Sequence, residues 1–357
     1  MRAELAVYLS HQLHRKIMAK SILIVGEYGK IFLTPLIQAL GKSWTIEHCI
    51  IEQPKSELLE LVSKADILVV SAELAYSKDP KLVEDLIKAG KQLQLIQVPF
   101  SGMDWLQKEW LPAGCIVCNT NQHSEPIAEY VMLGILEFAI SMRHMDRELR
   151  QGKWTYGGSI VRGLKHSEVQ HKTIGFIGFG HIAKRVTELA TPFGMDFVAI
   201  SRNPKVDARL KWWKDSSYLD ALLAESDYVL ITAPLSESTR DLINEAALKK
   251  MKPTGVIINV ARGPIINEAA IYRALKNREI GGALLDVWYQ YASTDNLEMR
   301  PSELPFHELD NVIMTPHTAS WTDQLDIRRI DSVVKNIQNF INQKPLDEVV
   351  YQTTSSS

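Results

Sequence analysis

The sequence is poor in the features that mark membrane proteins, disulfide scaffolds and nucleic-acid-binding proteins. It has no apolar run approaching the length of a membrane span. Its three cysteines, an odd number in 357 residues, indicate a reducing compartment. A formal net charge of -2 gives no reason to expect nucleic acid as a partner. We therefore expect a cytoplasmic, enzyme-sized protein that binds neither membranes nor nucleic acid.

Two of the cysteines, Cys115 and Cys118, form a CxxC pattern. The run around them, GCIVCN, is apolar and typical of a β-strand. Residues three apart on a strand point to opposite faces, so a redox pair is not expected. No metal site is predicted either.

The length of the chain predicts two domains, because one hydrophobic core rarely serves so many residues. Residues 1–17 carry Glu4 and two histidines where a signal peptide needs an unbroken apolar stretch, and we interpret them as an extension before the fold. Residues 352–357 are polar and are expected to form a disordered tail.

Short β-branched or aliphatic runs alternate with helical stretches in two separate series. The first series lies at 21–26, 65–72, 93–100 and 115–119, and the second at 173–180, 196–202, 226–234, 255–263, 281–288 and 311–317. Long amphipathic helices are predicted at 126–152, bridging the two series, and at 323–343, returning to the first. The pattern predicts an α/β protein with two doubly wound parallel-sheet units.

The second series opens on a glycine-rich turn that predicts a nucleotide site. Gly178, Gly180 and Ala183 follow a strand and open a helix, and that context makes the pattern specific. The first glycine permits the tight turn, the second lets a pyrophosphate approach, and the alanine keeps helix and strand close. A similar-looking turn at 26–29 has the wrong spacing and carries Glu27, which would repel a phosphate. The first unit is therefore expected to bind no nucleotide.

The next strand ends in Ser201-Arg202-Asn203, where NAD-binding domains usually hold the ribose with a carboxylate. No acid is present to repel a 2′-phosphate, and Arg202 can form charge-assisted bonds to it. The pattern favours NADP(H) over NAD(H). The alternative is that Arg202 stacks on adenine and the site accepts both cofactors.

Four segments resemble the D-isomer-specific 2-hydroxyacid dehydrogenases in order and spacing: Lys172 to Gly194, residues 232–271, GALLDVW (282–288) and NVIMTPHTA (311–319). The strings VPFSGMDWL and PIAEYVM match more loosely. The resemblance implies a split substrate domain, residues 18–122 and 319–351. An NAD(P)-binding domain at 123–318 would be inserted in it, with the active site in the cleft between these Rossmann-like units. It also implies a homodimer formed through the cofactor domain.

The resemblance also assigns roles to residues. Arg262 would bind the substrate carboxylate, His317 would act as acid and base, and backbone N–H groups at Ser101 and Gly102 would cradle the carboxylate. An arginine fork fits a carboxylate, and histidine titrates near working pH. The predicted cofactor contacts are Gly178, Gly180, His181, Ile182, Ser201, Arg202, Asn203, Ala233, Pro234, Thr239, Val260, Ala261, Asp286 and His317. Among them, Asp286 would hold the nicotinamide carboxamide.

One departure from the family pattern concerns the partner of the catalytic histidine. Family members usually place a glutamate five residues after the aspartate of the LDV motif, where this chain has Tyr291, preceded by Gln290. A carboxylate beside imidazole raises the histidine pKa by about one to three units. Without it, His317 would titrate near its unperturbed value of about 6.5.

Three explanations are open. Gln290 or the Tyr291 hydroxyl bonds to His317, as the glutamine in the similar formate dehydrogenases suggests. A carboxylate comes from elsewhere, the candidates being Glu125, Glu298, Glu303 and Glu308. Or catalysis is weakened and the chain is a nucleotide-sensing interaction protein.

We expect an NAD(P)-dependent oxidoreductase that reduces a 2-oxo acid to the D-2-hydroxy acid. The alternatives are the nucleotide-sensing protein and a formate-type dehydrogenase. Trp105, Trp288 and Tyr291 are candidates for lining the substrate pocket, although at least one of the three is expected to be ordinary core. His123 lies either near the active site or in a solvated loop.

Overall fold

A computed structural model of the chain describes residues 21–75, 77, 79–158, 162–292 and 296–354. The predicted extension at 1–17 and the last three residues of the predicted tail lie outside this range. Within it, the strands are β1 (Ser21–Val25), β2 (Thr45–Cys49), β3 (Ile67–Val70), β4 (Leu95–Gln97), β5 (Ile116–Cys118), β6 (Thr173–Ile177), β7 (Asp196–Ile200), β8 (Trp212–Lys214), β9 (Tyr228–Ile231), β10 (Val256–Asn259), β11 (Gly282–Leu285), β12 (Val312–Met314) and β13 (Val349–Gln352).

The α-helices alternate with these strands. In the described part of the chain they are α1 (Leu33–Leu40), α2 (Lys55–Ser63), α3 (Ala72–Ala75), α4 (Pro80–Ala89), α5 (Ser124–Ile140), α6 (Met142–Arg150), α7 (His181–Ala190), α8 (Leu219–Glu225), α9 (Glu245–Leu248), α10 (Glu268–Lys276) and α11 (Asp323–Ile341). Within the same residues, no helix combines the length and the apolar character that crossing a membrane requires.

The strands form two sheets. The first has the order β13-β5-β4-β3-β1-β2, and the second has the order β12-β11-β10-β9-β6-β7-β8. Every pairing in the second sheet is parallel, whereas the first carries one antiparallel edge strand, β13. The predicted α/β class with two doubly wound parallel sheets is confirmed.

The chain divides into two compact units. The first comprises the described residues up to Gln122 and those from Thr322 onward, and the second runs from His123 to Trp321. Each sheet has a hydrophobic cluster on either face. In the second sheet, Ile174 and Phe176 of β6 belong to one cluster and Ile177 to the other. This alternation follows from the two-residue period of a strand.

The two CxxC cysteines illustrate the same alternation in the first sheet. Cys115 and Cys118 belong to clusters on different faces. Burial raises the pKa of the Cys115 thiol to about 12 and that of Cys118 to about 11. Both thiols therefore stay protonated at neutral pH and serve as core side chains.

The single helix predicted at 126–152 is wrong, because the structure has two. Between α5 and α6 the chain passes through Ser141, which has a left-handed φ of 62°. The Glu137 carboxylate accepts a hydrogen bond from the backbone N–H of Arg143, and so stabilises the start of the second helix. Neither glycine nor proline marks the break, and the sequence therefore gave no signal of it.

Strands β2, β8 and β13 were not predicted from the sequence. Each is short or carries polar residues, and each lies at or near the edge of its sheet. The tail predicted from residue 352 begins too early, because Gln352 ends β13. Thr353 continues the pairing through hydrogen bonds with the backbone of Cys115.

Candidate active site

The predicted site residues of the second unit lie along one edge of its sheet. Six neighbouring strands run parallel, so their carboxyl ends meet at that edge. A predicted site residue follows each of them: Gly178 after β6, Ser201 after β7, Ala233 after β9, Arg262 after β10, Asp286 after β11 and His317 after β12. The topology thus gathers side chains separated by up to about 140 residues of sequence.

The glycine turn after β6 has the shape that a dinucleotide requires. Gly178 has a φ of 89°, and a Cβ on it would lie 2.7 Å from the backbone nitrogen of Ala233. Gly180 precedes the first turn of α7, and a Cβ there would meet nothing within 4 Å. Space is therefore open in front of the helix N-terminus, where an anionic group is stabilised. Behind the turn, Ala183 is fully buried, as helix α7 packs against α5.

The end of β7 carries a serine hydroxyl and an arginine side chain, those of Ser201 and Arg202. The Ser201 hydroxyl accepts a hydrogen bond from Nε1 of Trp213 at 2.8 Å, and its backbone N–H donates to the carbonyl of Lys214 at 3.0 Å. Arg202 is exposed, and its guanidinium has no partner among the described residues. His181 and Ile182 open helix α7 directly after the glycine turn, and Asn203 follows Arg202. These residues could hold the adenine end of a nicotinamide dinucleotide.

The loops after β9 and β10 supply the remaining cofactor candidates. The Thr239 hydroxyl donates to the Pro234 carbonyl and closes the loop after β9. After β10, the buried Asn259 side chain accepts from the N–H of Ala261 at 3.1 Å and donates to the carbonyl of Arg262 at 2.9 Å. Val260, between them, is buried. The asparagine amide thus fixes the short turn from which the arginine side chain extends.

Arg262 is partly buried, and its guanidinium lies against the backbone of the preceding residue. Its Nη1 donates to the Ala261 carbonyl at 2.8 Å. A Cβ on the following residue, Gly263, would lie 2.3 Å from the Trp288 carbonyl oxygen. The backbone after Arg262 therefore approaches Trp288 more closely than any side chain would allow, which fixes the backbone position from which the arginine side chain extends.

Asp286 has a role that the sequence did not reveal. Its side chain is 2% exposed, and it accepts hydrogen bonds from the Thr315 hydroxyl at 2.7 Å and from the backbone N–H groups of Thr318 and Ala319 at 2.8 and 3.0 Å. All three donors belong to the loop that carries His317. Asp286 is therefore a positioning residue for the histidine. Its predicted contact with the nicotinamide stays a prediction.

The histidine loop has two further anchors. Nε1 of Trp288 donates to the Thr315 carbonyl at 2.8 Å, and the Tyr130 hydroxyl lies 2.6 Å from the Thr315 hydroxyl. Held in this way, His317 adopts a left-handed φ of 59°. Such a conformation costs about 1 kcal/mol or more for a residue with a side chain, so it needs these contacts to persist.

The electrostatic surroundings of His317 favour the neutral imidazole. Desolvation lowers its pKa below the ordinary value, and the positive charge of Arg262 lowers it further. The negative charge of Asp286 acts in the opposite direction but does not outweigh them. Both charges therefore lie within electrostatic reach of the His317 imidazole.

The residue in the position of the usual glutamate contacts His317 through its ring. The rings of Tyr291 and His317 have centroids 5.6 Å apart and an interplanar angle of 51°, and the Tyr291 hydroxyl accepts the Trp288 backbone N–H at 3.1 Å. Gln290 is exposed, and within the described residues its side chain makes no hydrogen bond. Of the two replacements considered from the sequence, Tyr291 is the one that touches the histidine.

The other carboxylates suggested by the sequence are engaged elsewhere or exposed. Both oxygens of Glu125 bond to the Arg185 guanidinium, at 2.6 and 2.8 Å. Glu298, Glu303 and Glu308 are exposed. The carboxylate whose charge acts on His317 is that of Asp286.

The remaining sequence predictions concern aromatic residues and a histidine. Trp288 is buried in the core, where its ring packs against Phe306, so it is not a pocket residue. Trp105 packs on the core of the first unit and donates to the Gly102 carbonyl at 3.0 Å. His123 is buried just before α5, so the solvated-loop alternative is wrong.

The loop after β4 in the first unit presents backbone donors. The carbonyl of Ser101 accepts from Nδ2 of Asn119 at 3.0 Å, and that of Gly102 accepts from Trp105. Within the part of the chain that the structure describes, the N–H groups of Ser101 and Gly102 have no partner. They remain available for an anion.

Comparison with known proteins gives the family. The model for the NAD binding domain of the D-isomer specific 2-hydroxyacid dehydrogenases matches residues 132–319. A hydroxypyruvate reductase of Thermotoga maritima is 32% identical over 292 residues, 79% of this chain and 88% of that protein. The chain belongs to the D-isomer specific 2-hydroxyacid dehydrogenase family. It is accordingly an NAD(P)-dependent oxidoreductase that interconverts 2-oxo and 2-hydroxy acids.

Two further proteins extend the comparison. A glyoxylate reductase of Korarchaeum cryptofilum is 29% identical over 320 residues, 87% of this chain and 92% of that protein. The solved structure of an NADPH-dependent glyoxylate/hydroxypyruvate reductase from Sinorhizobium meliloti, in complex with NADP and sulfate, has a TM-score of 0.73. It is 24% identical and covers 93% of this chain and 98% of that one. It has the same fold.

Two substitutions separate the positioning and electrostatic effects of Asp286. In Asp286→Asn, an amide faces donors that need an acceptor and the charge is lost. We expect kcat for reduction to fall by roughly 10- to 100-fold and the pKa of His317 to drop further. Thr315→Val removes one donor but keeps the charge, so kcat should fall without a shift of the pH profile. Identical pH profiles for wild type and Asp286→Asn would contradict the electrostatic part.

Proposed function

We propose that the protein reduces a small 2-oxo acid to the D-2-hydroxy acid with NADPH, with Arg262 binding the carboxylate and His317 donating the proton. The observation that supports this most directly is the juxtaposition at one sheet edge. Arg262 follows β10 and His317 follows β12, with only β11 between them, and Asp286 at the end of β11 holds the histidine loop.

Arg262 and His317 have separate roles in the proposed reaction. The guanidinium of Arg262 pairs with the substrate carboxylate and so orients the neighbouring carbonyl. The carbonyl carbon would accept a hydride, which NADPH would supply when bound. The developing alkoxide then takes a proton from the His317 imidazolium, which leaves neutral imidazole. The lowered pKa of His317 makes its imidazolium a stronger acid than an ordinary one. It also means that a smaller fraction of the histidine is protonated at neutral pH.

The named activities of the relatives support a small substrate. Hydroxypyruvate and glyoxylate, on which the Thermotoga maritima and Korarchaeum cryptofilum proteins are named to act, are short 2-oxo acids. Exposed N–H groups at Ser101 and Gly102 suit a carboxylate, as the resemblance implied. We therefore propose glyoxylate or hydroxypyruvate as the substrate class.

For the cofactor we propose NADP(H) in preference to NAD(H). The support is the exposed Arg202, whose guanidinium has no partner in the described residues, next to the Ser201 hydroxyl. The structure of the Sinorhizobium meliloti reductase contains NADP. A charge-assisted bond from arginine to a 2′-phosphate is stronger than one to a neutral ribose hydroxyl.

One absorbance assay at about 340 nm, the band of reduced nicotinamide, tests this proposal. NADPH oxidation is expected with glyoxylate or hydroxypyruvate, at lower rates with pyruvate and bulkier 2-oxo acids. His317→Ala should lower kcat by roughly 100- to 10,000-fold while NADPH binding stays largely intact. Arg262→Lys should raise KM for the 2-oxo acid because the planar fork is lost.

The assay also distinguishes the alternatives. NADPH binding without turnover on any acid would favour the nucleotide-sensing protein. Reduction of NADP or NAD on addition of formate would favour a formate-type dehydrogenase. Full activity of His317→Ala would refute the proposed mechanism.

The pH dependence follows from the lowered pKa of His317. Since reduction needs the protonated form, kcat should be highest on the acid side of the lowered pKa. It should fall as the pH rises through that pKa, and so before the pH reaches the ordinary value of about 6.5. In Tyr291→Glu, a carboxylate replaces the ring beside the histidine and should move that fall upward by about one to three pH units. Tyr291→Phe keeps the ring contact and serves as the control, with the fall unmoved.

A profile of kcat against pH from 5 to 9 measures these effects. A wild-type rate that is flat to pH 8 would mean that another carboxylate raises the pKa of His317. That result would contradict the assignment of Tyr291 as the replacement.

We also propose a homodimer through the second unit. Five large apolar side chains on and after α5 and α6 are each more than half exposed: Leu133, Met142, Leu149, Trp154 and Leu164. Exposed apolar side chains that form one contiguous patch mark an interaction site. The family resemblance implies two-fold dimerisation through this domain.

Sedimentation velocity tests the dimer. Leu149→Glu should shift the protein towards monomer, because a charge would be buried at the interface. Ile37→Glu is the matched control, since Ile37 is a similarly exposed apolar residue on a helix of the first unit. A dimer that resists Leu149→Glu, or a wild-type monomer, would contradict the proposed interface.

A further inference from the structure

The strand that the sequence did not reveal, β8, carries two adjacent tryptophans with different partners. Nε1 of Trp213 donates to the Ser201 hydroxyl at 2.8 Å, whereas Nε1 of Trp212 donates to the Glu225 carboxylate at 3.0 Å. The two rings pack against the clusters on opposite faces of the sheet. Only Trp213 therefore acts on the end of β7, where the adenine ribose is proposed to bind.

The hydrogen bond between Trp213 and Ser201 has a fixed direction. An indole N–H can only donate, so the serine oxygen must accept. A hydroxyl also has one hydrogen to donate, and among the described residues that hydrogen has no acceptor. The indole thus holds the serine in one orientation and leaves its O–H directed to a partner that the chain itself does not supply.

Trp213 also contacts the glycine turn. Its ring lies edge-on to Phe179, with centroids 4.9 Å apart and an interplanar angle of 64°. Phe179 stands between Gly178 and Gly180 and is buried. One indole therefore connects the turn that would hold the pyrophosphate to the serine at the ribose end.

We propose that Trp213 is a specificity-positioning residue for NADPH, which acts through Ser201 by presenting the serine O–H to the 2′-phosphate. The inference rests on the proposed preference for NADP(H). The phosphate carries a double negative charge and accepts charge-assisted bonds from Ser201 and Arg202 together. The neutral 2′-hydroxyl of NADH gains less from the same donor. Trp213 should therefore affect the ratio of the two affinities and not only their size.

Calorimetric titration of the full chain with NADPH and with NADH tests this. Trp213→Phe keeps an aromatic ring in place of the indole beside Phe179 and removes the N–H donor together with part of the ring volume. We expect the Kd for NADPH to rise by about three- to ten-fold and that for NADH by less than two-fold. Trp212→Phe removes the same donor from the neighbouring residue and should leave both constants unchanged.

Ser201→Ala leaves Trp213 in place and keeps the inference testable if Trp213→Phe is unstable, because an unchanged NADPH preference in Ser201→Ala would overturn it. Ser201→Ala should lower the NADPH preference by a similar factor, and Trp213→Phe added to it should cause no further loss, because both act through one hydroxyl. Equal weakening of NADPH and NADH would assign Trp213 a purely structural role and overturn the inference. So would an unchanged ratio in Trp213→Phe while the wild type prefers NADPH.

The wild-type affinities test the proposed cofactor preference separately from the role of Trp213. A wild-type chain that binds NADPH no more tightly than NADH overturns the cofactor preference, and the inference with it. Turnover of 2-oxo acids would be unaffected by that result.

Discussion

The buried carboxylate of Asp286 holds the active site together. Its two oxygens accept three hydrogen bonds from the loop between Thr315 and Ala319, and that loop places His317 in a left-handed conformation. A buried charge without partners would be costly, so the loop and the carboxylate stabilise each other. The same charge limits how far the pKa of His317 is lowered. Asp286 therefore influences both the position and the protonation of the proposed acid.

Parallel pairing in the second sheet explains why residues far apart in the sequence can form one site. The crossovers bring all carboxyl ends to the same edge, so the residue after each strand contributes to a common surface. Close backbone approaches then fix the details. Gly178 lies against Ala233, and Gly263 lies against Trp288, at distances that exclude any side chain. The glycine turn and the backbone after Arg262 are thus placed by close backbone approaches, and the Asn259 amide fixes the turn that carries the arginine.

In place of the usual glutamate, His317 has an aromatic ring beside it. Tyr291 offers an aromatic ring to His317 and anchors its hydroxyl on the Trp288 backbone. A ring can orient an imidazole but supplies no full negative charge to stabilise its protonated form. The lowered pKa of His317 is consistent with this difference, since desolvation outweighs the single charge of Asp286. The proposed donor is therefore more acidic than an ordinary histidine.

The sequence by itself determined the two α/β units, the glycine turn, and the candidates Arg262 and His317. Strand periodicity, turn glycines and motif spacing are local properties, and they are written in consecutive residues. Only the tertiary structure decided the break at Ser141, the edge strand β8, and the partners of Asp286, Tyr291 and Trp213. These depend on which side chains meet across different strands, which neither periodicity nor propensity encodes. Hydrogen bonds such as that from Trp213 to Ser201 exist only because parallel pairing sets two short segments side by side.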